Sequence, residues 1–189
     1  MRRAEFHDES AIYADRPTQL GVATEMGSGV VPRTFNVVQA EAGCAISRVR
    51  TSDPATDCTV IRLLAGTYRI TGFSLLTMDN PNGPDGTTNP PVLNVTNKFP
   101  GYALVYDADN PPRGVADLGT AMDIGSVQQA YDSTPSLVDT IVALTRTTNI
   151  SLGHQCTYTP GGKEPVYIRI ATRDSVFHTF AKIAIHKIG

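Results

Sequence analysis

The chain has no tryptophan, only three cysteines and little charge, with Asp, Glu, Lys and Arg making up 18% of its 189 residues. Each shortage excludes something. Cys44, Cys58 and Cys156 are an odd number at wide spacing, so a disulfide framework is not indicated. They read as free thiols buried as small apolar side chains, with a single Cys44–Cys58 bridge closing a hairpin as the alternative, and free thiols fit synthesis in a reducing cytoplasm. No apolar run approaches the roughly 20 residues needed to cross a bilayer. The opening Met1-Arg2-Arg3-Ala4-Glu5-Phe6-His7-Asp8-Glu9 passes from basic to acidic with no apolar stretch behind it, which is not the pattern of a signal peptide. The formal net charge is -2, and Lys and Arg do not cluster along any one face. Neither a membrane nor a nucleic acid is therefore an expected partner.

Catalytic motifs are missing too. The sequence contains no Gly-x-Ser-x-Gly, no P-loop and no dinucleotide fingerprint. Its four histidines, His7, His154, His178 and His186, show no zinc-like spacing. His178 and His186 share one strand face, but at strand rise they lie about 26 Å apart, too far for one metal. Residues 79–85 offer oxygen donors of the kind calcium takes but lack the acidic residue that closes an EF-hand loop, so an ordinary exposed turn is the reading. No catalytic, cofactor-binding or metal-ligating residue is assigned, and no enzyme is expected. The low charge share instead points to surface buried in an oligomer.

What is present is a rhythm of short extended segments, punctuated by thirteen prolines and sixteen glycines. It is organised around Ile61 to Met78. After Ala65-Gly66, the residues Tyr68, Ile70, Gly72, Ser74, Leu76 and Met78 fall on one side of an extended chain, and Thr67, Arg69, Thr71, Phe73, Leu75 and Thr77 on the other. Rich in Thr, aromatic and branched residues and without a 3.6-residue stripe, this is a long central strand. Further strands are expected around 45–49, 59–63, 101–107, 137–145, 148–156, 165–171 and 177–188, with weaker ones at 92–95 and 115–121. The polar stretch 125–135 could hold a helical turn at 126–131. Regularly spaced strands without intervening helices argue an antiparallel sandwich, and eight to ten of them fit a jelly roll. The Pro- and Gly-rich stretch 79–91 is an exposed tip, with Asp79, Asn80, Asn82 and Asp85 as candidate binding residues.

Residues 1–35 differ from the rest. They mix both charges, contain Pro17 and Pro32, and show one brief apolar stretch, Leu20-Gly21-Val22-Ala23. They read as an extended N-terminal arm preceding a jelly-roll domain of residues 36–189, or else as the source of a first edge strand. The last strand speaks to assembly. Ala181, Ile183 and Ile185 make a core stripe, while His178, Phe180, Lys182, Ala184, His186 and Ile188 make an opposite face too apolar for water. We expect that face, with His178, Phe180, Lys182, His186 and Ile188 as its interface residues, to be buried against another subunit; the alternative is that it meets solvent or the arm.

The succession Ile61-Arg62-Leu63-Leu64-Ala65-Gly66-Thr67-Tyr68-Arg69-Ile70, then Gly101-Tyr102-Ala103-Leu104-Val105-Tyr106-Asp107, Leu118-Gly119-Thr120, the strand ending Leu152-Gly153-His154-Gln155, and the terminal Phe177 to Ile188 resembles bacteriophage virion proteins built on a jelly roll of complement-globular-head or tumour-necrosis-factor type. The likeness covers about residues 33–189. It implies a homotrimer around a three-fold axis, on a phage head or tail. Such proteins often end a long fibre. This chain has no collagen-like or heptad stalk, so the expectation is a capsid decoration, cement or head-fibre protein, assembled in the host cytoplasm and displayed on the virion surface. It would be held to the major capsid protein or other virion proteins by its arm. Two other readings stand beside it: a receptor-binding tail-fibre or tail-tip domain that recognises host surface glycan, and a secreted trimeric binding module.

Overall fold

Period-two alternation decides most of the architecture. The computed structural model describes residues 9–16, 23–49, 58–78, 99–130, 134–158, 160, 166–170 and 179–189, and among them lie fourteen strands and one 3-10 helix. The strands run β1 (Ser10–Asp15), β2 (Ala23–Glu25), β3 (Val30–Pro32), β4 (Val37–Ala42), β5 (Ile46–Val49), β6 (Val60–Leu63), β7 (Gly66–Ser74) and β8 (Pro100–Asp107). They continue with β9 (Asp123–Ile124), β10 (Gln128–Gln129), β11 (Ser136–Leu144), β12 (Thr148–Cys156), β13 (Tyr167–Ile170) and β14 (Ala181–Lys187). The excess over the expected eight to ten comes from β2, β3, β9 and β10, each only two or three residues long.

One five-stranded sheet has the order β11-β7-β14-β1-β4. A second runs β10-β8-β12-β6-β5, with β3 added beside β12 and β9 beside β8, and β13 and β2 form a separate ribbon. Every strand pairing is antiparallel. This is the all-β, antiparallel jelly-roll sandwich that the strand rhythm predicts. Strand β7 is internal, paired with β11 along nine residues and with β14 along seven. It opens at Gly66, whose φ of +152° no L side chain adopts easily, and a Cβ there would stand 2.8 Å from Lys187 Cε and 2.9 Å from the Gly189 carbonyl oxygen. The chain end is laced to the same corner: Thr67 N–H donates to Gly189 O at 2.6 Å, and Ile188 N–H to Thr67 O at 2.8 Å.

Between the sheets lies an apolar core. Ala11, Tyr13, Tyr68, Ile70, Ile183 and Ile185 from one sheet meet Ile61, Leu63, Val105, Ile150 and Leu152 from the other, and all are 0% exposed. Full burial of each Ile, Leu or Val side chain is worth about 1.5–3 kcal/mol. A smaller cluster of Met26, Leu76, Met78, Cys156, Tyr158, Val166 and Ile168 fills one end.

Four expectations need correction. Of the two readings of the N-terminal segment, its described residues follow the strand and not the outlying arm, but β1 is internal and not an edge, hydrogen-bonded to β14 on one side and β4 on the other. Ala11 and Tyr13 anchor it in the core, so a boundary at residue 35 would cut through the domain. Residues 115–120 form the 3-10 helix and not a strand. Asp117 N–H donates to Gly114 O at 3.1 Å while Asp117 Oδ2 accepts from Arg113 N–H at 3.3 Å, and local bonding of this kind competes with a ladder. Residues 128–129 are strand β10 and not helical. Gln128 is buried, and its amide takes the part of a further strand: Nε2 donates to Leu76 O at 2.9 Å and Oε1 accepts from Leu76 N–H at 3.3 Å. Of the cysteines, Cys58 and Cys156 are buried free thiols, but Cys44 is an exposed one. The weak strand expected at 92–95 lies outside the described residues.

Candidate functional site

Cross-strand register sets out the outer face of the five-stranded sheet row by row. Leu137, Phe73 and Lys182 stand opposite one another; the next row is Asp139, Thr71, Ala184, Ile12 and Ala40; the next is Ile141, Arg69, His186, Ser10 and Ala42. Leu137, Ile141 and Ile188 are 56%, 63% and 55% exposed. Arg69 and Asp139 neutralise each other through a two-pronged contact, Nε–Oδ1 at 3.1 Å and Nη2–Oδ2 at 2.9 Å. That contact raises the guanidinium and lowers the carboxyl from their ordinary values. What remains is a charge-poor face with large apolar side chains in the open.

The residues expected on this face divide. Lys182 is half-buried, His186 exposed and Ile188 exposed, and all three lie at the outer surface. Phe180 does not: it is 2% exposed, inside its own subunit. Alternation fails there because the strand begins only at Ala181. Phe180 is held by its backbone, donating to Asp15 O at 2.9 Å and accepting from Leu75 N–H at 2.8 Å. His178 lies outside the described residues, as do Asp79, Asn80, Asn82 and Asp85 of the expected binding loop.

A second arrangement, which the sequence pattern did not single out, is polar and buried. Arg33, at the exit of β3, is 1% exposed. Its Nε donates to Ser74 Oγ at 2.7 Å, and its two terminal nitrogens donate to the carbonyls of Ile168 and Leu75. Asp15 Oδ2 stands 3.8 Å from Nη1, and Asp15 Oδ1 accepts from Arg169 Nε at 2.6 Å. Burial, only partly offset by Asp15, lowers the Arg33 pKa to about 9. Ser74 Oγ also meets His154 Nδ1 at 2.7 Å. Arg33 thus binds β1, β7, β12 and β13 into one joint. The sequence carries only a trace of it: Arg33 stands two residues before the buried Phe35, and His154 continues the inward stripe of Ile150 and Leu152.

Ser74 and His154 have the spacing of a nucleophile and its base, but both are 0% exposed, so a substrate has no way to the hydroxyl. Beside the joint is a cavity of about 160 Å³ lined by Asp15, Thr24, Pro32, Arg33 and Arg169. An open hollow of about 340 Å³ lies over Asp109, Asn110, Arg113 and Asp117. No group of three His, Cys, Asp or Glu side chains with metal-binding geometry occurs among the described residues.

No protein-family model and no curated protein matches the sequence. Solved structures do. The crystal structure of murine APRIL at pH 8.0 superposes with a TM-score of 0.51 at 10% identity, over 95% of this chain and all of that one. Murine APRIL at pH 5.0 gives 0.48 at 8% identity over 96% and 99%, and Pika GITRL 0.41 at 11% over 97% of each chain; scores this low add nothing to the first. The likeness establishes the fold, a jelly roll of tumour-necrosis-factor type.

Proposed function

We propose that this chain is a non-enzymatic structural and binding module that forms a homotrimer through the outer face of the β11-β7-β14-β1-β4 sheet. We further propose that it serves on the surface of a tailed-phage particle as a capsid decoration or head-fibre protein, attached to the shell after assembly in the host cytoplasm. One observation carries the assembly: a face built from Ile12, Phe73, Leu137, Ile141, Ala184 and Ile188, with the Arg69–Asp139 ion pair neutralised internally, is apolar surface without a partner among the described residues of its own subunit. Three copies that bury such faces together remove that surface from water, and the resulting valency multiplies individually weak contacts with a shell. The virion reading is supported by the succession of strand motifs from Ile61 to Ile188.

The test of assembly is the native mass, with a trimer expected and a monomer overturning it. The test of location is loading onto expanded phage heads. Because β1 begins at Ser10 and is internal, removing residues 1–30 would destroy the sheet, so only residues 1–8 are deleted. Loss of head binding by the trimer so shortened supports attachment through the N terminus; undiminished loading overturns it.

A further inference from the structure

The Ser74–His154 contact crosses the sandwich, from the end of β7 in one sheet to β12 in the other. The hydroxyl accepts from Arg33 Nε–H and has His154 Nδ1 as its one other partner among the described residues, so its proton is assigned to His154 Nδ1. This makes the imidazole a neutral acceptor that carries its hydrogen on Nε2. Nε2 is buried with no hydrogen-bond partner among the described residues. We propose that His154 is an acid-sensitive tie between the two sheets: while neutral it receives the Ser74 proton, and when acid forces a proton onto it the tie is lost and the end of the sandwich built around Arg33 opens.

The geometry accommodates an imidazolium poorly. Protonated Nδ1 would have to donate to the hydroxyl's second lone pair, the hydroxyl's own proton would lose its acceptor, and Nε2–H has no acceptor among the described residues. The charged groups on the elements packed around the site, among the described residues, are Arg33 from the exit of β3, Asp15 from β1 and Arg169 from β13. The nearest of them is a fully buried guanidinium, and the carboxylate is already engaged with both arginines. On β8, the residue opposite His154 is Ala103, which offers no acceptor side chain. Burial first, and Arg33 second, hold the imidazole well below its ordinary range.

The sign follows directly. The unfolded chain takes up this proton near the ordinary histidine value of about 6.5, and the folded chain does not. The stability contributed by a neutral His154 is therefore complete above about pH 6.5 and is lost as the pH falls, by up to about tenfold in the folding equilibrium per pH unit for one proton. Carboxylates elsewhere add their own acid dependence, so the proposal concerns the part that vanishes when His154 is replaced.

The experiment is denaturant unfolding of the full chain at fixed concentration from pH 8 to pH 5, for wild type and His154→Gln. Below pH 6 we expect the folding equilibrium of the wild type to fall by up to about tenfold more per pH unit than that of His154→Gln. Parallel slopes for the two overturn the proposal. If His154→Gln does not fold, the His154 imidazole resonances of the wild type decide. We expect a neutral ring protonated on Nε2 throughout the folded range down to pH 5.5, and a ring that titrates at or above 6.5 in the folded protein overturns the proposal.

Discussion

The two faces of the five-stranded sheet are made of similar residues and have opposite fates. Inward, Ala11, Tyr13, Tyr68, Ile70, Ile183 and Ile185 are 0% exposed. Outward, Leu137, Ile141 and Ile188 stand more than half exposed beside Phe73, Ala184 and Ile12. Apolar content alone does not distinguish them. The difference is that the inner face has the second sheet as its partner, whereas the outer face has none among the described residues. Substitutions on the two sides should therefore register in different measurements, the inner ones in subunit stability and the outer ones in association.

The largest effect belongs to the buried joint that closes the inner side. Arg33→Ala takes their Arg33 donor from Ser74 and from the carbonyls of Ile168 and Leu75 and one of its two arginines from Asp15, and removal of one partner from such a buried set costs about 3–5 kcal/mol. Denaturant unfolding should show it, and a loss under 1 kcal/mol would mean that the joint is dispensable. Ile183→Ala, in the middle of the inner stripe, should cost about 2–5 kcal/mol for lost burial and the cavity left behind. On the outer side, the double substitution Leu137→Asp and Ile141→Asp should change unfolding of the isolated subunit by no more than about 0.5 kcal/mol while abolishing the oligomer in size-exclusion chromatography. If instead the subunit itself is crippled, the outer face is part of its own fold and the comparison fails. Smallest of all, Asp139→Asn removes an ion pair that is more than half exposed in the single subunit. It should leave unfolding of the isolated subunit indistinguishable from that of the unsubstituted one, since exposed pairs are screened and entropically costly.

Much of the fold is legible where alternation is long and uninterrupted. In β7, the inward set Tyr68, Ile70 and Ser74 is buried as its period-two spacing predicts, and β8, β11 and β12 fall within a residue or so of the expected ranges. Legibility fails where alternation is short or broken. Ser10-Ala11-Ile12-Tyr13-Ala14-Asp15 is only six residues long and set among charged neighbours, so nothing local reveals that two strands from opposite ends of the chain enclose it. Phe180 breaks the outward stripe because backbone bonds to Asp15 and Leu75, distant in sequence, fix it before the strand begins. The buried joint was least visible. Its members, Asp15, Arg33, Ser74, His154 and Arg169, are scattered along the chain and meet only through topology, and buried charge is not an outcome that composition predicts.

The central claim, that the outer face of the β11-β7-β14-β1-β4 sheet is covered by sister subunits, is tested most directly by native mass spectrometry of the wild type beside the Leu137→Asp, Ile141→Asp variant. The account predicts three times the 20.2 kDa subunit mass for the wild type and a single subunit for the variant. A wild-type chain that stays at one subunit mass at micromolar concentration, with Leu137 and Ile141 open to solvent, would contradict it.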